Sequence, residues 1–250
     1  MIPTNHQNLL IEKNVLKKIN TLFSSNSIPQ TIDRYFIDKL DHFSHKELNF
    51  IFANTNLDHL DKNDNNLLMR VLSNQSIKKH LNNSNYQYLL KNTANLNQIN
   101  KTHQHNALML VILSNTILNK ESFDFLLKST NLSHCDHLNQ SVLYLALFDK
   151  YPLTTNQVNY LIEKCPLDAV NKFFRNNVIA LAIKDKPALA RQIILFMEKN
   201  NFYFDDHYYS QLEPTLSNQK DFINKTIVDN LAKKIKISIP SPIKKNKNKL

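Results

Sequence analysis

Apolar residues recur along the chain in short runs, and each run is followed by a polar break. The last apolar residues of five such runs are Leu57, Leu96, Leu132, Leu167 and Phe202. Their successive separations are 39, 36, 35 and 35 residues. Because the five copies share an apolar pair, a polar break and nearly one spacing, the pattern predicts an internal repeat.

A second apolar run follows each of the first four copies. It begins eleven residues after the anchor at Leu68, Leu143 and Val178, and twelve residues after it at Leu108. Apolar residues within these runs recur at the third and fourth positions, which is the period of an α-helix. The repeat is therefore predicted to contain two short helices, neither of which could bury its apolar stripe alone. Leu143, Ala146 and Leu147 are expected to be buried between units.

Helix start signals stand where the repeat requires them. Ser44 and Glu47 are predicted to form a capping box, in which each residue satisfies a backbone N–H of the other. The other predicted starts are a cap at Thr154 or Thr155, a cap at Asp185 with Pro187 in the first turn, and a cap at Ser217. Residues 218–236 are expected to close the array, with Phe222, Ile223, Ile227 and Leu231 on the inner stripe.

Residues 1–43 are less regular than the rest. Their apolar residues predict two amphipathic helices, one with Leu9, Leu10, Val15, Leu16, Ile19, Leu22 and Phe23, the other with Ile32, Tyr35, Phe36, Ile37 and Leu40. An array of stacked units needs terminal units with a polar outer face. This segment is therefore interpreted as a helical amino-terminal cap.

The repeat resembles the ankyrin family, whose unit of about 33 residues has a turn, a T-P-L-H-x-A motif and a later leucine pair. The matching residues are Asp136, Asn139, Ser141, Leu143 and Ala146 in one copy, and Asp61, Asp64, Leu68 and Met69 in another. No copy keeps the T-P dipeptide or the histidine. The resemblance implies an all-α, ankyrin-like helical-repeat solenoid over residues 44–236, between the cap and a disordered basic tail at residues 237–250.

Glycine is absent from all 250 residues. Phosphate loops, dinucleotide-binding turns, the kinase glycine loop and the G-x-S-x-G nucleophile elbow all need glycine, so these classes of site are excluded. Ankyrin hairpins also use glycine. Asn139 is a reasonable substitute because asparagine tolerates left-handed backbone geometry, whereas Gln104 and Phe174 at the equivalent positions are poorer ones.

Three groups of residues could in principle take part in catalysis or metal binding, and each has a plainer interpretation. His134, Cys135, Asp136 and His137 are adjacent, with His103 and His105 in the preceding loop, but metal binding needs three or four convergent ligands and loop residues are usually solvated. A Cys135 nucleophile would need a histidine base and an oxyanion hole. His45 to Glu47 matches half of a zinc-deaminase motif, yet Glu47 is better explained as a helix cap. No enzyme activity, cofactor or metal is expected, and the two cysteines, Cys135 and Cys165, are expected to be free thiols.

The formal charge of +10 is concentrated near one end of the chain. Residues 233–250 contain no acid and seven lysines, namely Lys233, Lys234, Lys236, Lys244, Lys245, Lys247 and Lys249. This tail is a nuclear-import signal, a contact for phosphate or anionic lipid, or a solvated end, and phosphorylation of Ser241 would reduce its charge. Because no aromatic residue is interleaved with the lysines, sequence-specific nucleic-acid binding is not expected.

The predicted function is protein–protein interaction, because ankyrin-like arrays are used overwhelmingly as scaffolds. The repeats are similar to those of ankyrin-repeat effectors that intracellular bacteria deliver into host cells. The alternative is a nucleus-directed or nucleic-acid-associated protein that uses the tail. The amino terminus has no basic region followed by an apolar run, and no apolar run approaches the length of a membrane span, so the chain is expected to be made in the cytoplasm. It is also expected to be a monomer. Loop residues are predicted to form one exposed, mildly basic edge that binds an acidic surface of a partner: Lys62, Lys101, His103, His134, His137, Lys172 and Arg175.

Overall fold

The computed structural model describes residues 5–200, and the part of the chain it describes is all-α, as predicted. The helices are α1 Asn5–Phe23, α2 Arg34–Ile37, α3 His45–Ala53, α4 Leu67–Ser73, α5 Gln75–His80, α6 Asn83–Asn92, α7 Ala107–Leu113, α8 Lys120–Ser129, α9 Val142–Phe148, α10 Thr155–Lys164, α11 Val178–Asp185 and α12 Pro187–Lys199. One turn of 3₁₀-helix covers Leu40–His42. Between residues 5 and 200 the β-structure is limited to one isolated bridge, which joins Cys135 and Ser141.

The chain divides into two compact units, Met1–Ala169 and Val170–Leu250. The predicted array at residues 44–236 therefore includes parts of both units. In the second unit, α11 packs against α12. The predicted closing helix at residues 218–236, the cap at Ser217 and the lysine-rich tail lie outside the described residues.

Helices of the first unit pack in two rows that follow chain order. The short helices α4, α7 and α9 contact one another in sequence, and so do the longer helices α3, α6 and α8. The longer helices end three or four residues before the anchors found in the sequence, and the short ones coincide with the second apolar runs. Each repeat thus adds one helix to each row, which explains why a single unit could not bury its apolar faces.

The core lies between these rows. Leu143 and Ala146 are 0% and 1% exposed and Leu147 is also buried, so the packing prediction is confirmed. Leu68 and Leu108, at the equivalent positions of the preceding units, are buried as well. Burial of one such side chain contributes about 1.5–3 kcal/mol relative to leaving it in water.

The predicted helix starts at Ser44, at Thr154 or Thr155 and at Pro187 are also confirmed, but the predicted cap at Asp185 is wrong, because Asp185 is the last residue of α11. The Ser44 hydroxyl accepts a hydrogen bond from the Glu47 N–H, and the Glu47 carboxylate accepts one from the Ser44 N–H. Thr154, rather than Thr155, caps α10 and forms a second capping box with Gln157. Pro187 is the first residue of α12. Glu47 is therefore a cap, as expected, and also forms a 2.8 Å ion pair with Lys18 of α1.

At the amino-terminal end of the first unit, α1 packs against α3. Val15 and Ile19 are buried, but Leu9 and Leu10 near the start of α1 are exposed. The second predicted helix consists of two short pieces, α2 and the 3₁₀ turn. Within residues 5–200, no helix combines the length and the apolarity needed to cross a bilayer.

Candidate interface on the stacked hairpins

Four hairpins precede the short helices: residues 61–65, 100–105 and 136–140 in the first unit, which we call the hairpin row, and residues 171–176 in the second unit. Each begins with an Asp or Asn whose backbone N–H donates to the carbonyl of the last hairpin residue. These closing hydrogen bonds run from Asp61 to Asn65 at 3.0 Å, from Asn100 to His105 at 3.0 Å, from Asp136 to Gln140 at 3.0 Å and from Asn171 to Asn176 at 2.7 Å. All four hairpins therefore close with the same backbone hydrogen bond, and none of them contains glycine.

The first side chain of each hairpin organises the loop. In each case one Oδ1 atom accepts hydrogen bonds from two backbone N–H groups within the hairpin. For Asp136 these donors are Leu138 at 2.9 Å and Gln140 at 2.8 Å. Short Asp and Asn side chains characteristically replace backbone hydrogen bonds in this manner. Sequence reasoning missed Asn100 and Asn171, although both stand at the repeat spacing from Asp61 and Asp136.

Left-handed backbone geometry occurs once in each hairpin. The residues are Asp64 with φ 59°, Gln104 with φ 58°, Asn139 with φ 64° and Arg175 with φ 48°. Asn139 behaves as predicted, and Gln104 adopts the geometry despite being a poor substitute for glycine. The assignment to Phe174 is wrong, because the hairpin of residues 171–176 is one residue longer than that of residues 136–140 and its left-handed residue falls one position later.

The residue directly after each hairpin caps the next short helix. Asn66, Asn106, Ser141 and Asn177 are buried, and each side-chain oxygen accepts a hydrogen bond from a backbone N–H in the first turn. Only Ser141 was singled out from the sequence. The signal for the others was an asparagine immediately before each uninterrupted apolar run.

Neighbouring hairpins in the row are joined by hydrogen bonds. The Lys101 N–H donates to the Asn63 carbonyl at 2.9 Å, and the His137 N–H donates to the His103 carbonyl at 3.1 Å. Gln98 Nε2 adds a 3.1 Å hydrogen bond to the Asp64 carbonyl. The three hairpins of the first unit therefore lie next to one another in chain order. Lys172 and Arg175 belong to the second unit.

The seven predicted partner-binding residues were all expected to be exposed, and the structure agrees for only some of them. Five are exposed, namely Lys62, Lys101, His103, Lys172 and Arg175. The prediction is wrong for His134 and His137, which are half-buried. Their rings lie against the preceding hairpin, because His134 Nε2 is 2.6 Å from the Gln104 carbonyl and His137 Nδ1 is 3.0 Å from the His103 carbonyl.

The hairpin row is less basic than expected. Lys101 Nζ lies 3.0 Å from Asp64 Oδ1, so this ammonium is paired with the preceding hairpin. Asp61 and Asp64 also flank Lys62 in the first hairpin. Burial alone would raise the pKa of Asp61, but N–H donors from Asn65 and Asn63 outweigh it and the pKa is lowered, so this carboxylate is charged at neutral pH.

Two exposed apolar side chains directly beside the hairpin row were missed by sequence reasoning. Leu60 is 40% exposed and Ile99 is 38% exposed, and each directly precedes the residue that opens a hairpin. The signal for them was the apolar residue that stands at this position in every copy. Since the two hairpins are hydrogen-bonded to each other, the row presents apolar as well as polar groups.

A cavity of about 480 Å³ lies beside the first hairpin and is lined by Lys62, Arg34 and Arg70, among others. Arg70 of α4 donates a hydrogen bond from Nη1 to the Ile32 carbonyl. Burial lowers the pKa of Arg70, and the nearby carboxylates of Asp61 and Asp33 oppose this effect. The guanidinium remains charged because its usual pKa is far above neutrality. Because Asp33 and Asp61 also line the cavity, its walls at one end of the hairpin row carry charges of both signs, from three cationic side chains and two carboxylates.

Three histidines and one aspartate meet where the second and third hairpins stack. This imidazole cluster consists of His103, His105, His137 and Asp136. His105 Nε2 lies 3.4 Å from the buried Asp136 Oδ2, and the His103 ring centroid is 5.3 Å from that of His105 and 5.0 Å from that of His137. The pKa of His103 is lowered by burial and by the two neighbouring imidazoles.

The cluster differs from the group of adjacent residues considered in the sequence. His134 is bonded to Gln104, away from the convergent set. Burial, together with the charges of Asp136 and Asp168, raises the pKa of Cys135 to about 11. Because the thiolate is the reactive form, Cys135 is a weak nucleophile at neutral pH.

No protein-family model matches the chain, and no curated protein is significantly similar to it.

Proposed function

We propose that this chain is a protein–protein interaction scaffold whose helices form an ankyrin-like solenoid. The observation that supports it best is the hairpin row, in which three hairpins of one design stack in chain order on two rows of helices. Four features recur in the same order in each repeat: an opening Asp or Asn, a left-handed residue, a capping residue and a short apolar helix. Stacked repeats of this type create extended binding surfaces.

The proposed binding surface is the hairpin row together with the adjoining cavity. Its backbone is held by hydrogen bonds within each hairpin and between neighbours, so little conformational entropy is lost when a partner binds. Leu60 and Ile99 supply apolar contact area, and Lys62 and Arg70 supply positive charge. An apolar centre with a polar surround is the usual composition of a protein interface.

Paired substitutions test the position of this surface. The variant carrying Leu60→Arg and Ile99→Arg places two charges on the row without filling a buried site. Ile117→Arg is the matched control, because Ile117 is 64% exposed and lies in the loop between α7 and α8. Full-length forms of all three chains would be immobilised and exposed to a eukaryotic cell lysate.

We expect a specific protein partner to be retained by the wild-type chain and by Ile117→Arg, and lost from the double variant. Circular dichroism must show equal helicity in the three chains. Equal retention by all three would exclude the hairpin row as the binding surface. Failure of the wild-type chain to retain any protein would contradict the scaffold function in that lysate.

Preference for an acidic partner is a finer part of the proposal. Lys62→Glu should weaken binding of the recovered partner, and raising the salt concentration should reduce this effect. Insensitivity to both changes would contradict an acidic partner surface. The effector role is likewise proposed from the resemblance, and a translocated reporter fused to the full chain would test it.

A second function is proposed for the seven lysines at residues 233–250, which are accompanied by no acid. If they neutralise phosphates, affinity for duplex DNA should fall steeply with salt and disappear when residues 233–250 are deleted. Affinity that survives the deletion would contradict this function. The hairpin variants should leave DNA binding unchanged.

A further inference from the structure

We propose that His105, Asp136 and His137 bind one divalent transition-metal ion, for which Zn²⁺ is the best match, across the second and third hairpins. Each residue offers one ligand atom, and the three atoms lie within 4.8 Å of one another. Two imidazoles and one carboxylate form a ligand set that suits zinc, whereas calcium and magnesium prefer oxygen ligands. The proposed ligands lie in the hairpin row, but metal binding does not depend on the proposed protein-binding role.

Two of the ligands already have the separation that a metal requires. His105 Nε2 and Asp136 Oδ2 are 3.4 Å apart. Ligand atoms about 2.0–2.1 Å from a tetrahedral zinc ion lie about 3.4 Å from each other. A metal ion can therefore take the place of the direct contact between these two side chains while they stay close to their present positions.

Asp136 is held in position by its own hairpin. Its Oδ1 accepts the two backbone hydrogen bonds from Leu138 and Gln140, while Oδ2 faces His105. The side chain is 1% exposed. A carboxylate fixed through one oxygen and directed at an imidazole through the other is a preorganised ligand.

His137 is oriented by the preceding hairpin. Its Nδ1 lies 3.0 Å from the His103 carbonyl, which also accepts the backbone N–H of His137 at 3.1 Å. A carbonyl can only accept, so Nδ1 carries the proton and the lone pair of the neutral ring is on Nε2. Metal-binding histidines commonly donate their other N–H to a backbone carbonyl in this way.

The fourth ligand is either His103 or water. His103 is exposed, and its ring lies beside those of His105 and His137. A metal bound here would link residues of two hairpins that are otherwise joined by hydrogen bonds. Binding should therefore raise the thermal stability of the chain.

Calorimetric titration of the full, metal-free chain with ZnCl₂ tests the proposal. We expect one Zn²⁺ per chain with a dissociation constant of about 10 μM or lower, accompanied by a rise in melting temperature. His105→Gln, His137→Gln and Asp136→Asn should each weaken binding at least about tenfold. Asp136→Asn should fold normally, because Asn100 and Asn171 organise the equivalent hairpins.

The matched control is His134→Gln, which removes a neighbouring imidazole outside the ligand set and should leave the affinity unchanged. Melting temperatures of the metal-free variants separate loss of binding from loss of folding. His103→Gln identifies the fourth ligand, since a tenfold weakening assigns His103 and an unchanged affinity assigns water. The proposal is overturned if the wild-type dissociation constant exceeds about 10 μM, or if the ligand variants bind Zn²⁺ as tightly as His134→Gln does.

Visible absorption of the Co²⁺-loaded chain gives a second measurement. A four-coordinate cobalt site absorbs much more strongly than the hexa-aquo ion, so the wild-type chain and His134→Gln should show the intense bands and the ligand variants should not. Bands that persist in the combined His105→Gln and His137→Gln variant would place the ion elsewhere and overturn the assignment.

Discussion

The short helices and the hairpins that precede them belong to the same repeats but are specified differently. Helices α4, α7 and α9 have seven residues each, begin after a buried Asn or Ser cap and are buried along most of their length. The hairpins have five or six residues and share little besides the Asp or Asn that opens them. Helix residues that are packed from both sides must be similar in size and apolarity in every unit. Hairpin residues that face solvent need only allow the loop to close.

The helices and the opening residue of each hairpin therefore determine the shape of the unit, whereas the other hairpin side chains determine its surface chemistry. One side-chain oxygen satisfies two backbone N–H groups in each hairpin, so most of the other hairpin side chains are not needed to close the loop. They are consequently free to differ, as Lys62, His103 and His137 do. The imidazole cluster and the exposed Leu60 and Ile99 occur on this variable layer, where binding residues are usually found.

The largest effect should come from the helical layer. Leu143→Ala removes a fully buried side chain and should lower the free energy of unfolding by about 2–5 kcal/mol, because a cavity remains at a site packed on both sides. Chemical denaturation of the full chain would measure the loss. Leu113→Ala is the control, since Leu113 at the end of α7 is exposed and its truncation should cost less than about 0.5 kcal/mol. Similar losses for both would contradict the two-row packing.

The next effect lies at the boundary between hairpin and helix. Asn106→Ala leaves the buried Met109 N–H without its 3.0 Å partner and should destabilise the chain by about 1–2 kcal/mol. Asn106→Ser should restore most of the stability, because Ser141 fills the equivalent position in the next unit. Thermal or urea unfolding of both variants is the measurement. A serine variant as unstable as the alanine variant would mean that the cap is not the cause.

A smaller effect is expected within the hairpins. Gln104 has a φ of 58°, which costs a residue other than glycine about 1–2 kcal/mol, while glycine costs about 0.5–1 kcal/mol in chain entropy. Gln104→Gly should therefore stabilise the chain by up to about 1 kcal/mol. Asn139→Gly should gain less, because asparagine tolerates this geometry. Equal gains in the two hairpins would contradict the strain assigned to Gln104.

The smallest effect concerns the charge of Glu47. Burial alone would raise its pKa, but hydrogen bonds from Lys18 and Ser44 outweigh burial and lower it. The resulting stability is present above the unfolded pKa of about 4.3 and is lost as pH falls through the lower folded value. Glu47→Gln keeps a capping residue, as Gln157 does in α10, but removes the charge.

Unfolding of the wild-type chain and of Glu47→Gln across the acidic range would measure this contribution. The variant should be less stable by at most about 1 kcal/mol at neutral pH, and the difference should disappear at low pH. A difference that is independent of pH would assign the effect to packing rather than to charge.

Local chemistry determined much of what the sequence predicted correctly. Helix period and capping depend on residues three or four positions apart, so the two helices of each unit, the Ser44–Glu47 box and the burial of Leu143 followed from the sequence alone. The opening Asp or Asn of each hairpin is equally local. It was recognised at Asp61 and Asp136 and missed at Asn100, although the same spacing rule applies.

Only the tertiary structure decided which hairpin residues meet. The lateral position of one hairpin against the next depends on how α4, α7 and α9 pack, and packing of one helix on another involves residues more than thirty positions apart. No local pattern indicates that Lys101 pairs with Asp64, that His134 is half-buried, or that His105 faces Asp136. The candidate metal ligands are therefore visible as residue types in the sequence, but their convergence depends on the contacts between repeats.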